Sequence, residues 1–204
     1  MTSTNIDYVD TYFENPSLTK IHSEPTYDIL KAMEDELKTN ATGVTSDLGG
    51  GGHGHLGLVI NPVRYAFVLP VPYVQPVHPG TLVIPPGFTQ HESTRLRNEH
   101  KELIKLYRET VDVEKAMIKQ VVATIDAKYL KLLRNADINS ITVPLHDVLD
   151  FLFQRYGKVT GDTLDDFEEK VKNMSNHPSE PLVTVFNQIE DLEGLGVAAR
   201  SFYR

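Results

Sequence analysis

Between Gln90 and Asn135 the chain runs QHESTRLRNEHKELIKLYRETVDVEKAMIKQVVATIDAKYLKLLRN without one proline or glycine. Proline removes a backbone donor and clashes with the preceding turn, and glycine raises the entropic cost of ordering. A stretch that lacks both and is rich in Glu, Lys, Arg and Leu is therefore constrained to helix. The chain on its N-terminal side is broken by both residues: Gly49–Gly52 are consecutive glycines, and Pro70, Pro72, Pro76, Pro79, Pro85 and Pro86 fall between Leu69 and Phe88. On its C-terminal side the sequence divides into short helix-sized blocks. The prediction is a mainly α fold with an irregular Gly/Pro-rich N-terminal segment.

Within the long run, Leu96, Leu103, Ile104, Tyr107 and Val111 form one apolar stripe. Arg95, Arg97, Glu99, Lys101, Glu102, Lys105, Arg108 and Glu109 read as a solvated face of mixed sign rather than a basic stripe. From Val113 the apolar residues widen to Ala116, Met117, Ile118, Val121, Val122 and Ile125, which predicts burial on more than one side. Asp112 and Asp126 are expected caps that divide the run into two or three helices. Tyr129, Leu130, Leu132 and Leu133 close it, and Asn135 terminates it.

Upstream, Met1–His22 is polar and aperiodic, and predicts a flexible tail. Pro25 suits a first helical turn, Ile29, Leu30, Met33 and Leu37 follow at helical spacing, and Asn40 is the expected terminator. The block Leu48–Leu58 contains GGGGHGHLG. Gly49, Gly51 and Gly54 satisfy G-x-G-x-x-G, but no buried strand precedes them, and His55-Leu56 stands where a P-loop needs Lys and Ser or Thr. His53 and His55 offer two imidazoles that need a third metal ligand from elsewhere, with His78 and His91 as candidates. The favoured reading is structural, with glycines making tight turns and histidines bonding to main chain. Asn61-Pro62 predicts a cap and first turn of a short helix through Arg64, Tyr65 and Phe67. The Pro-rich Leu69–Phe88 is expected to lie extended across the helices, with a short hairpin at Pro79-Gly80. The rival is a free Pro-rich ligand for another domain.

Downstream, Pro144 opens a helix whose Leu145, Val148, Leu149, Leu152, Phe153 and Tyr156 keep an unbroken helical spacing, and Gly157 ends it. A second helix is predicted after Thr160 or Thr163, with Leu164, Phe167, Val171 and Met174 inward. A third follows Ser179, with Leu182, Val185, Phe186, Ile189 and Leu192 inward.

The absence of cysteine excludes disulfides, thiolate metal sites and cysteine nucleophiles. A formal charge of −8 argues against the broad basic footprint of an autonomous nucleic-acid binder. No apolar run approaches membrane-spanning length, and the polar N-terminus MTSTNIDYVD predicts a cytoplasmic protein. No nucleophile–base–orienter set stands out. Asp165, Asp166, Glu168 and Glu169 read as dipole-complementing charges at a helix start rather than as catalytic acids.

The order of the blocks resembles the Gag-like capsid region of copia-type LTR retrotransposons. The resemblance is carried by PTYDILKAMEDELKTNATGV at Pro25–Val44, LGGGGHGHLGLV at Leu48–Val59 and Tyr65. It continues through His78–Gly80, the charged helix Gln90–Glu109 and KQVVATIDAKYLKLLRN at Lys119–Asn135. VLDFLFQRYGKVTGDTLDDFEEKVKNM at Val148–Met174 and EPLVTVFNQIEDLEGLGVAA at Glu180–Ala199 complete it, so it covers residues 20–200. The resemblance implies a two-lobed helical bundle that self-assembles into a virus-like shell around element RNA, with no catalysis, cofactor or metal here. With the polar tail over residues 1–22 set apart, the resemblance implies an N-terminal lobe over 23–135 and a three-helix C-terminal lobe over 136–204. The family's Cys-x-x-Cys…His…Cys knuckle is absent. Leu149, Leu152, Phe153 and Tyr156 are the expected core or oligomer-interface residues, and Arg95, Arg97, Lys101 and Lys105 the expected RNA contacts. Two rivals stand beside this reading: a metal-dependent enzyme or metal-binding protein built on His53 and His55, and an RNA-binding helical module using the same cations with Arg108.

Overall fold

The computed structural model describes residues 13–157 and Glu169. These are mainly helical: α1 spans Tyr27–Gly43, α2 Pro62–Val68, α3 Gln90–Thr124, α4 Ala127–Leu130 and α5 Leu145–Tyr156. Tight three-residue turns of 310 helix occur at Leu48–Gly50, Leu56–Leu58 and Lys131–Leu133. Among the described residues there is no strand, only an isolated antiparallel bridge between Arg134 and Ile141. The two helices predicted beyond Gly157 lie outside the described residues. The chain divides into two compact units, one formed by residues 1–20 and 33–148, the other by 21–32 and 149–204.

Three of the described helices start for a readable reason. Thr89 caps α3 and forms a full capping box: its hydroxyl accepts from the Glu92 N–H, while the Glu92 carboxylate accepts from the Thr89 N–H at 2.8 Å. Asn61 caps α2 with Pro62 behind it, its side chain accepting from the Arg64 N–H at 3.0 Å. Asp126 caps α4 by accepting from Lys128 N–H, as expected. Asp112 does not divide the long run. It stands inside one continuous α3 of 35 residues, because no competing cap geometry interrupts its neighbours' helical bonding. Asn40 likewise does not end α1, which continues to Gly43.

The reason lies in what Asn40 does instead. It is fully buried, and its amide accepts from Asn15 N–H at 2.7 Å and donates to Asn15 C=O at 2.9 Å and to Gln120 Oε1 at 3.0 Å. The Gln120 amide donates to the carbonyls of Asn15 and Pro16. This amide cluster ties the segment before α1 to α1 and α3. Residues 13–20 are therefore not part of a free tail: Phe13 and Leu18 are buried, and Thr19 bonds twice to the Glu36 carboxylate. Burial of two large apolar side chains supplies the driving force that a polar tail lacks.

The first unit's core contains Met33, Leu37, Ala41, Leu58, Val113, Ala116, Met117, Val121, Leu130 and Leu145. The buried part of α3 starts only at Thr110, and no side chain from Gln90 to Glu109 is fully buried. In the second unit Tyr27, Leu30, Leu149 and Leu152 are buried, and the Tyr27 and Phe153 rings meet at 5.7 Å.

The Pro-rich segment runs back along α3. Gln75 donates to Glu114 at 2.8 Å, the His78 ring packs edge-on against Tyr107 at 5.0 Å, and His100 Nε2–H donates to the Gly80 carbonyl at 3.0 Å. There is no hairpin at Pro79-Gly80. Gly80 turns with φ of +73°, and its N–H donates to His78 Nδ1.

Candidate functional site

The Gly-rich block folds as a compact loop rather than a cradle. Gly54 takes φ of +50°, and a Cβ there would stand within 3.0 Å of the carbonyl oxygens of Ala41, Thr42 and Val44, so no other residue fits without movement. This close approach lets His55 N–H donate to the Ala41 carbonyl at 2.8 Å, pinning the loop to the end of α1. The Tyr73 ring lies on Gly57 where any side chain would stand.

The His55 ring is fully buried and its Nδ1 is 2.9 Å from the Tyr73 hydroxyl. Tyr73 packs in turn on Tyr65 with ring centres 5.7 Å apart, and Leu56, Ile60 and Leu69 complete this small core. Burial pushes the His55 pKa down to about 4, so its ring is neutral near pH 7. Burial raises the Tyr65 pKa. It raises that of Tyr73 much further, followed by the negative charge of Glu114 and then Tyr65. Three uncharged rings packed around glycines form a latch. They present no activated nucleophile, and His55 Nε2 is buried with no hydrogen-bond partner. His53 is exposed and His55 buried, so the two imidazoles do not converge. Among the described residues no three His, Asp or Glu side chains come together as a metal-ligand group.

The expected interface residues of α5 divide by burial. Leu149 and Leu152 are buried and belong to the core. Phe153 and Tyr156 are half-buried, Phe153 against Tyr27 and Tyr156 against Phe151 at 6.4 Å.

The large apolar groups left in solvent lie elsewhere. Phe67 is 87 % exposed, Val77 85 % and Val83 78 %, and Val63, Val68, Val71, Val74 and Phe88 are also exposed; Leu103, Leu132 and Ile138 are exposed singly in other parts of the chain. In the Pro-rich segment Tyr73, Pro76, Pro79 and Leu82 face inward while Val71, Val74, Val77 and Val83 face outward. That three-residue alternation is the periodicity of polyproline II, and it lines valines along one edge. Between Asp47 and Glu92 the only charged residue is Arg64. Arg64 is itself paired with the buried Glu34 carboxylate at 2.6 Å. Sequence reading passed over this surface, although valine at every third position was visible.

The expected RNA contacts Arg95, Arg97, Lys101 and Lys105 are all exposed on α3. Arg95 stands apart, paired with Glu99 at 3.4 Å. Because α3 is continuous, its charges can be placed at about 100° per residue. Arg97, Lys101, Lys105, Arg108, Lys115 and Lys119 then fall within an arc of about 80°, joined by one acid, Asp112. Glu92, Glu99, Glu102, Glu109 and Glu114 lie outside it. The six cations are exposed and extend for about 33 Å at 1.5 Å per residue. The mixed-sign face expected from sequence is thus resolved into a basic stripe and acidic flanks. Dividing the helix at Asp112 had hidden this by breaking the angular register.

Comparison with known protein families, with curated proteins and with solved structures finds no match for this chain. No helix among the described residues is long and apolar enough to cross a membrane.

Proposed function

We propose that this protein is a Gag-like structural protein that assembles with copies of itself around RNA, without catalysis of its own. The observation that carries the reading is the uncharged, valine-lined surface of α2 and the Pro-rich segment, where Phe67, Val77 and Val83 are almost wholly exposed. Exposed apolar groups of this kind mark interaction surfaces. A second copy is the occupant we favour: each chain carries a formal charge of −8, and a face almost without charge is where two such copies meet with the least repulsion. The basic stripe of α3 supports the RNA part of the reading. It holds cations one or two turns apart with no aromatic side chain in the arc, which suits backbone contact without base reading. The resemblance of the ordered blocks to copia-type Gag supports the same assignment.

The test is sedimentation velocity and light scattering over a range of protein and salt concentrations, for the wild type and for Val77→Asp combined with Phe67→Asp. The wild type is expected to form large particles, and the double variant to remain small with unchanged helicity by circular dichroism. A wild type that stays monomeric throughout overturns the assembly reading. For the RNA part, Arg97→Gln, Lys101→Gln and Lys105→Gln together should lower the salt slope of single-stranded RNA binding by about 2, at roughly 0.7 per phosphate contact. An unchanged slope removes the stripe from the RNA interface.

A further inference from the structure

A second basic site lies after α3, away from the stripe. Lys128, Lys131 and Arg134 follow one another at three-residue intervals through α4 and the 310 turn Lys131–Leu133. Lys128 stands in α4, Lys131 opens the 310 turn, and Arg134 is the extended residue that ends it. They line a surface recess of about 410 Å³ together with Ala127 and Asn139. The wall of the recess is fixed by the loop that returns after α4. Asn135 accepts from the N–H groups of Asp137 and Ile138, its own N–H donates to Ser140, and Asn139 takes φ of +50°.

The protein engages these cations only in part. Lys128 pairs with Asp126 at 3.6 Å and lies over the Tyr129 ring at 4.7 Å, while Lys131 makes no ion pair among the described residues. Arg134 uses Nη1 to donate to the Asn139 carbonyl at 3.1 Å, and this holds the guanidinium in place. Its Nε is buried with no acceptor. That nitrogen is closed to solvent, so an outside anion would meet the exposed Lys128 and Lys131 first. Three cations less one carboxylate leave a net charge of about +2 on the recess. That balances a phosphate dianion better than a single carboxylate, and the guanidinium fork fits phosphate oxygens. The acidity of the rest of the chain does not cancel this, because exposed charges more than about 10 Å away are largely screened at ordinary ionic strength.

We propose that this recess binds a small phosphate-bearing anion of the diphosphate or phosphate-monoester class. The site does not depend on the self-assembly reading.

The experiment is calorimetric or NMR titration of the full chain with inorganic pyrophosphate at fixed ionic strength, with citrate as a carboxylate control. Pyrophosphate is expected to bind tighter than citrate. Lys131→Gln and Arg134→Lys should each weaken it about tenfold, the loss of one charge-assisted contact, while Arg97→Gln on α3 leaves it unchanged. If Arg134→Lys fails to fold, Lys131→Gln at its exposed position decides the matter alone. Equal binding of citrate and pyrophosphate, insensitivity to Lys131→Gln, or equal weakening by Arg97→Gln overturns the proposal. It is also overturned if pyrophosphate does not bind while an RNA oligonucleotide lacking terminal phosphates binds in a Lys131-dependent way, which assigns the recess to a nucleic-acid backbone.

Discussion

Acidification should loosen this protein through His55, and the size of the effect follows from its burial. The ring is fully buried in the Gly-rich loop, and its pKa is pushed down to about 4 from an ordinary value of 6.5. Between those values the unfolded chain binds a proton on this imidazole and the native protein does not, so falling pH favours unfolding. The contribution is fully present above pH 6.5 and is lost as pH falls towards 4. At pH 5 the loss is about 2 kcal/mol, from 1.36 kcal/mol per unit applied between the two pKa values. With a urea slope of about 2 kcal/mol/M, the midpoint falls by about 1 M between pH 8 and pH 5. Carboxylates add their own acid dependence, so the decisive comparison is with His55→Gln, which has no proton to gain. The variant is expected to start weaker at pH 8 and to lose about 2 kcal/mol less than the wild type on the way to pH 5. If the two proteins show the same pH dependence, the imidazole is not the buried neutral group the structure describes, and the latch reading of the loop fails with it.

Asn40→Ala should cost about 2–6 kcal/mol in urea denaturation, because it strands the Asn15 N–H and the Gln120 side-chain carbonyl oxygen at about 1–3 kcal/mol each. A double-mutant cycle with Gln120→Ala should then show coupling above about 0.5 kcal/mol, and simple additivity would show that the amides act separately. Gly54→Ala is expected to destabilise by more than 1 kcal/mol, since it combines left-handed strain with three close carbonyl oxygens. A neutral effect would mean the loop has another conformation. Thr89→Ala removes the cap of α3 and should cost about 1 kcal/mol, read as increased amide hydrogen exchange over the first turns rather than in the buried half of the helix.

Local chemistry was legible in the sequence wherever one residue acts on its neighbours. Asn61-Pro62 as cap and first turn, Asp126 as cap of α4, and the start of the long helix at Gln90 all follow from side chains acting within three or four positions. Thr89-x-x-Glu92 was equally readable as a capping box and was overlooked. The misreadings share another cause. By its local preference for caps Asn40 reads as a terminator, yet its partners Asn15 and Gln120 lie 25 and 80 residues away. Asp112 reads as a divider on the same local grounds, and nothing at short range shows that Val113, Met117 and Val121 carry the helix through it into a core. The site suffered most. The valine edge depends on which side of an extended segment meets α3, and contacts such as His78 with Tyr107 decide that.

A net charge of −8 hides a steep segregation, and it changes what composition can exclude. The stripe on α3 carries six cations and one acid, or +5, which leaves −13 for the rest of the chain. A third surface carries almost no charge, since Arg64 alone interrupts residues 48–91. Net acidity therefore opposes RNA contact for the molecule seen from afar and not for a strand lying on α3, because the stripe is about 33 Å long while charge is felt over about 10 Å. The two surfaces must also answer salt in opposite directions. Screening relieves repulsion among acidic copies and leaves apolar contact intact, so added salt should promote assembly through the valine edge. The same salt weakens the hold of α3 on a polyanion by restoring the free energy of its released counterions. Particles that grow with salt in the absence of RNA, and RNA binding that falls with salt in the Val77→Asp, Phe67→Asp variant, would separate the two activities on one chain. If both rise or both fall together, a single electrostatic surface serves for both, and the division drawn between the valine edge and the stripe is wrong.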